Sequence, residues 1–157
     1  MQVRLAKSRD AEAIVAVINA AFCRAESFLI DRDRIDLETV CSLLQKGKFL
    51  VADSEDSRVL LGCVYVELKD HRAYLGLLAV NPERQKAGLG SQLMTAAENY
   101  CAHSGCRFMD LRIINVRQEL PSFYRKRGYV ETGTAPFPQD LNPKVPCHFV
   151  EMSKPLT

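Results

Sequence analysis

Between Phe49 and Val80 the chain carries three apolar runs in close succession, "FLVAD", "RVLLGCVYVEL" and "AYLGLLAV", separated by short polar turns such as "KDHR". None of them shows the one-sided period of a surface helix, and each is apolar on both alternating faces. Such runs are strands of a sheet covered on both sides, so the chain must supply helices for both covers.

Those helices can be read on either side of the strands. After a first short strand, "VRLA", Ser8 or Asp10 caps a helix in which Ile14, Val17, Ile18, Ala21 and Phe22 fall on one face. Residues 24–35, "RAESFLIDRDRI", lose this period and are expected to form a loop or a broken helix. Leu37, Val40, Cys41 and Leu44 restore it until Gly47. Beyond the three strands, Leu89, Leu93, Ala96, Ala97 and Tyr100 mark another helix, closed by Gly105. "FMDLRII" then reads as a strand and "PSFYRKR" as a short helix stopped by Gly128; "YVETG" and "CHFVEMS" form a closing strand pair. The pattern predicts an α/β (α+β mixed) fold over residues 1–157 as one domain. Its central sheet is mixed but mainly antiparallel, with a parallel crossover through the Leu89 helix and helices on both faces.

Bulk properties narrow the function. With 21 basic and 19 acidic side chains and a net charge of +2, the chain lacks the basic surplus of a dedicated nucleic-acid binder. No segment approaches the length of an apolar membrane span, and the expectation is a cytoplasmic protein, monomer or homodimer. The six cysteines form no CxxC pair, which predicts reduced, mostly buried thiols and no metal site.

The chemistry concentrates in "NPERQKAGLGSQLM", where a strand gives way to a helix. The first N–H groups of a helix lack intrahelical partners and sit at the positive end of its dipole. Gly88 and Gly90, lacking Cβ, let a ligand approach those groups, and phosphate oxygens suit them. The stretch is not a P-loop, since no Gly-Lys-Ser/Thr follows, and Leu93 stands where a dinucleotide fingerprint needs glycine.

"LLAVNPERQKAGLGSQLM" resembles the cofactor motif of the GNAT superfamily of N-acetyltransferases, with Gln85, Gly88 and Gly90 at the motif positions. "LRIINVRQELPSFYRKRGYVETG" is similar to the family's closing motif through Leu111, Ile113, Tyr124, Gly128 and Tyr129. The two blocks span residues 74–133. The second departs from the pattern in one respect: Arg117 stands where an asparagine is common, and Leu120 where a small residue is usual.

The resemblance implies a GNAT-type fold and an enzyme that moves an acetyl group from acetyl-CoA to an amine by direct attack on the thioester, without a metal. The amides of Gln85, Lys86, Ala87, Gly88, Leu89, Gly90 and Ser91 would hold the pyrophosphate, with the Lys86 side chain as a further phosphate partner. Backbone at Leu78, Ala79 and Val80 would pair with the pantetheine arm, and the N–H of Ala79 or Val80 would face the thioester carbonyl. Tyr124 would return a proton to the departing thiolate.

A general base is less legible, because "AYLGLLAV" lacks the glutamate that some relatives carry there, and Tyr74 stands about where it would lie. Glu67, sharing a strand face with Tyr65, is the chosen candidate, with Glu26 and His148 as others. The run Arg125-Lys126-Arg127 is expected to be a solvated helix face. The irregular segments 24–35 and 133–146 carry charges of both signs and no carboxylate surplus. That balance suits a small primary amine, singly charged or zwitterionic, better than a polyamine or histone tail. The alternatives are a CoA-binding or sensing module with little catalysis, or an acetyltransferase of protein or peptide amines.

Overall fold

The computed structural model describes residues 2–29, 33–56, 58–83 and 88–156. Seven strands, β1 (Val3–Leu5), β2 (Lys48–Asp53), β3 (Leu60–Lys69), β4 (Arg72–Val80), β5 (Phe108–Ile114), β6 (Val130–Pro136) and β7 (His148–Pro155), form one sheet in the order β1-β2-β3-β4-β5-β7-β6. Only β4 and β5 run parallel, joined through α3 (Leu89–His103); every other neighbour pair is antiparallel. The helices α1 (Ala11–Glu26), α2 (Leu37–Lys46) and α4 (Glu119–Lys126) complete the expected order.

The sheet is covered on both sides, as its double-faced apolar strands require. On one face Ile14, Val17 and Ile18 of α1 and Val40 of α2 pack with Phe49, Val51, Cys63 and Tyr65. On the other, Leu93, Met94 and Ala97 of α3 and Tyr124 of α4 pack with Leu50, Val64, Val66, Leu75, Met109 and Leu111. Alternate residues of β2 thus serve different cores, which is why the strand shows no polar face.

Asp10 stands at the N-cap position of α1 but makes no side-chain cap bond, its carboxylate accepting from Arg4 and the Lys7 N–H. Asp36 caps α2 by accepting from the Thr39 N–H at 2.8 Å, and Gly47 ends the helix. Asn19 on α1 accepts from the N–H groups of Arg34 and Ile35 at 2.8 and 3.0 Å and donates to the Ile35 carbonyl at 2.9 Å, tying the chain back onto the helix. The later irregular segment is fastened to the same region: the Lys144 N–H donates to Leu29 O at 2.8 Å and its Nζ to Ser27 O at 3.0 Å.

Three expectations change. α1 runs on through Arg24, Ala25 and Glu26, and Glu26 is buried. Arg127 is not a solvated residue: it reaches buried Glu98 at 3.1 Å, where Lys154 Nζ also donates at 3.1 Å and the Tyr129 hydroxyl at 2.8 Å. One carboxylate matched by two cations and a phenol is a buried charge that is fully paired. Of the six free cysteines only Cys63, Cys101 and Cys106 are buried; Cys23 and Cys41 are exposed. Among the described residues no helix is long and apolar enough to cross a membrane.

Candidate active site

The site begins where the sheet stops being continuous. β4 and β5 pair only over Arg72–Tyr74 and Phe108–Asp110. Beyond that point the rest of β4 pairs with β3 alone, and Leu111–Ile114 pairs with β7 alone. The closed end is clamped by Arg72, which donates from Nε and Nη2 to Asp110 at 2.7 and 2.6 Å and from Nη2 to Ser153 Oγ at 3.0 Å. The same guanidinium lies 4.6 Å above the Phe108 ring.

A bulge widens the gap. The β3–β4 register slips between Cys63 and Tyr65, and Leu77 adopts φ 54°. Before it Ala73 and Leu75 face the α3 core; after it Leu78 and Val80 do, while Leu77 and Ala79 face α1. The strand's side-chain parity is therefore reversed within the gap. Between the diverging strands lies a cavity of about 800 Å³, walled by Leu75–Val80 and Leu111–Ile114, by Phe22 and Glu26 of α1, by Leu120, Phe123 and Tyr124 of α4, and by Phe137 and Phe149.

At one end Gly90 lines the cavity near the start of α3. Gly88 caps that helix with φ 83°, a left-handed conformation that favours glycine, and among the described residues an added Cβ would meet no atom within 4 Å. The first intrahelical bond is Gln92 N–H to Gly88 O at 2.9 Å. The amides of Leu89, Gly90 and Ser91 precede it; the first turn has no acidic residue and no side-chain cap. This end therefore offers donors and open space to an anion. The Leu89 side chain is buried in the α3 core, leaving its amide as its contribution. Gln85, Lys86 and Ala87, expected at this site, lie outside the described residues.

Tyr124 lines the same cavity, with its ring buried edge-on against Phe123 and Tyr129 at centroid distances of 5.1 and 5.8 Å. Among the described residues its hydroxyl has no hydrogen-bond partner. Burial pushes its pKa up to about 12, opposed in part by the charge of Arg117. The group is a protonated donor at neutral pH.

The base candidates are dispersed. Glu67 borders an adjoining depression of about 790 Å³, which shares Tyr74 with the cavity. Its carboxylate accepts from the Tyr65 hydroxyl at 2.7 Å, a bond that holds it below the usual carboxylate range, and lies 3.4 Å from Lys69 Nζ. His148 is exposed, paired with Asn115 through its backbone, and does not line the cavity.

Glu26, by contrast, lies inside the cavity wall and accepts from Arg117 Nη1 at 3.0 Å, while Nη2 of that arginine donates to Glu119 at 2.9 Å. The reading of residues 24–35 as a loop obscured this arrangement. Glu26 was among the candidate bases in the sequence, and its partner Arg117 stands at the position that departs from the motif.

Comparison with known proteins agrees with this geometry. Residues 45–131 match the family model described as "Acetyltransferase (GNAT) domain". No curated protein matches. Among solved structures, smu.2055 from Streptococcus mutans UA159 is 18% identical, with 100% of each chain covered and a TM-score of 0.80. An aminoglycoside 6'-N-acetyltransferase complexed with coenzyme A is 15% identical, covering 100% of this chain and 98% of that one at a TM-score of 0.79. The ribosomal-protein-alanine N-acetyltransferase from Brucella melitensis is 18% identical, with 99% of each chain covered and a TM-score of 0.76. At such identities the solved structures show a shared fold, and the family model, matching more than half of the chain, shows the lineage. The chain belongs to the GNAT family and is an N-acetyltransferase.

Proposed function

We propose that the protein transfers an acetyl group from acetyl-CoA to the primary amine of a small molecule that also carries an anionic group. The observation that carries this reading is the β4 edge beyond Tyr74. It lacks a strand partner on its β5 side, borders the cavity and shares it with the protonated hydroxyl of Tyr124.

The residues present fit the cosubstrate. An unpaired strand edge offers N–H and C=O groups to an extended amide-bearing arm, here at Leu78, Ala79 and Val80. The α3 terminus offers the amides of Leu89, Gly90 and Ser91, and the space above Gly88, to phosphate oxygens. Gln85, Lys86 and Ala87 would extend this cradle. Acetyl-CoA, when bound, supplies an activated acetyl group. Around it, the Ala79 or Val80 N–H would polarise the carbonyl oxygen, and Tyr124 would protonate the leaving sulfur. Glu67, across Tyr74, would take the amine's proton through water.

The acceptor class follows from charge placement. Among the described residues the exposed charges lining the cavity are Arg24, Arg34 and Arg112 against Asp33 and Glu119, a surplus of arginine that favours a carboxylate or similar anion there. Phe22, Phe137, Leu141 and Phe149 supply an apolar wall.

The test measures thiol release from acetyl-CoA with amino acids and small amines in competition with spermidine and a lysine-rich peptide. Preference for amino-acid-like acceptors is expected. Preference for either polycation overturns the acceptor class. Acetyl-CoA binding without thiol release to any amine would make the protein a CoA-binding module.

A further inference from the structure

The deep end of the cavity contains an ion cluster that the proposed acetyl-transfer chemistry does not use. Glu26 closes α1 and is only 6% exposed, yet it lines the cavity. Its single side-chain hydrogen bond among the described residues uses Oε2, which accepts from Arg117 Nη1 at 3.0 Å. Its other oxygen has no protein donor among these residues, and it is not one of the sealed, unpaired buried polar atoms. The side chain that carries it lines the cavity.

Arg117 is spent on protein contacts. Its Nη1 serves Glu26, and its Nε and Nη2 serve Glu119 at 3.2 and 2.9 Å. Two carboxylates share one guanidinium, so the three groups carry one net negative charge, with Glu26 the buried member and Glu119 the exposed one. The arginines Arg24, Arg34 and Arg112 line the same cavity but are exposed, at its mouth. The buried carboxylate of the lining is thus Glu26, while arginines are in excess among the exposed lining residues.

We propose that Glu26 is the ammonium-binding residue for the acceptor and that Arg117 is its positioning residue, so that an acceptor enters amine first with its anionic group held at the mouth. This rests on the cavity being the transfer site proposed above, and it names the group that selects the amine. A cation in a low-dielectric pocket needs a matched anion, and Glu26 is the buried carboxylate of the cavity wall. A charge-assisted bond from Nη1 positions that carboxylate, and the contacts of Nε and Nη2 with Glu119 hold the guanidinium itself in place. Arg117 also lies close enough to act on the Tyr124 hydroxyl electrostatically, so the anchored amine and the proton donor share one neighbourhood.

The experiment titrates three probes of one shape into the CoA-saturated protein by calorimetry or ligand-observed NMR. They are L-leucine, 3-methylbutylamine, which lacks the carboxylate, and 4-methylpentanoate, which lacks the amine. Glu26→Gln keeps an acceptor for Arg117 and should keep the fold. It should weaken L-leucine and 3-methylbutylamine at least tenfold while changing 4-methylpentanoate and CoA by less than twofold. Arg117→Lys should give an intermediate loss for the two amines, and Arg117→Met a loss comparable to Glu26→Gln.

Amine binding unchanged by Glu26→Gln overturns the assignment, as does a wild-type protein that binds 4-methylpentanoate but neither amine, or none of the three at millimolar concentration. CoA titrated alone into the wild type separates the two readings. Failure to bind CoA defeats the functional reading, whereas intact CoA binding with amine affinity indifferent to Glu26 defeats this inference only.

Discussion

Tyr124 owes its chemistry to where its ring is held. The edge-on contacts with Phe123 and Tyr129 need the ring and not the hydroxyl, so Tyr124→Phe should fold normally and bind acetyl-CoA as before. If the hydroxyl protonates the leaving sulfur, turnover should fall ~10²-fold or more, measured as thiol release at saturating acetyl-CoA. Burial sets a second signature. A tyrosine ionises around pH 10 in an unfolded chain, and burial raises Tyr124 to about 12. The folded state therefore holds the proton to higher pH than the unfolded one. The stabilisation is fully present below about pH 10 and is lost as pH rises toward 12. Denaturant titrations across that window should show a steeper loss for the wild type than for Tyr124→Phe, a difference that cancels the contributions of the other buried tyrosines.

Two glycines separate the work of binding from the work of packing. A Cβ on Gly90 would meet only Phe123 Cζ, at 3.8 Å, an ordinary contact. Gly90→Val should accordingly spare the fold but obstruct the opening of α3, weakening acetyl-CoA binding at least tenfold, about 1.4 kcal/mol, by calorimetry. On β3, a Cβ on Gly62 would sit 2.7 Å from the Ala79 carbonyl oxygen and 2.9 Å from Leu93 Cδ1. Gly62→Ala should destabilise the fold by about 1–3 kcal/mol in urea, the range of an overpacked core.

The contrast shows what the sequence could say. Strand and helix order was legible throughout, because each element carries its own period. Gly88 and Gly90 were legible because a known motif surrounds them. Gly62 was not, since its constraint comes from a helix packed across the sheet. The bulge at Leu77 was hidden for a related reason: it exists only in the register between two strands. Glu26 was legible as a candidate carboxylate, but its burial and its pairing were not, since its partner Arg117 is 91 positions away.

At the scale of the molecule, the sheet is divided down its middle, and the Arg72–Asp110 clamp fixes where the division starts. Seven strands share one order, yet the strands of the half carrying β1 to β4 and the half carrying β5, β7 and β6 are in register over only three residue pairs, next to the His71 carbonyl that accepts from the Arg107 and Phe108 N–H groups. A pantetheine arm laid along Leu78–Val80 would act as the missing rung between those halves. Ligation would then be a folding event as much as a binding event. At a hundredfold excess over its dissociation constant, acetyl-CoA should add about 2.7 kcal/mol to the free energy of unfolding. The added protection should be uneven, with slower amide hydrogen exchange along the open edge of β4 than saturation adds in β2, which is already paired on both sides. The enzyme between turnovers is in this sense an interrupted sheet, and its cohesion reports whether cosubstrate is aboard.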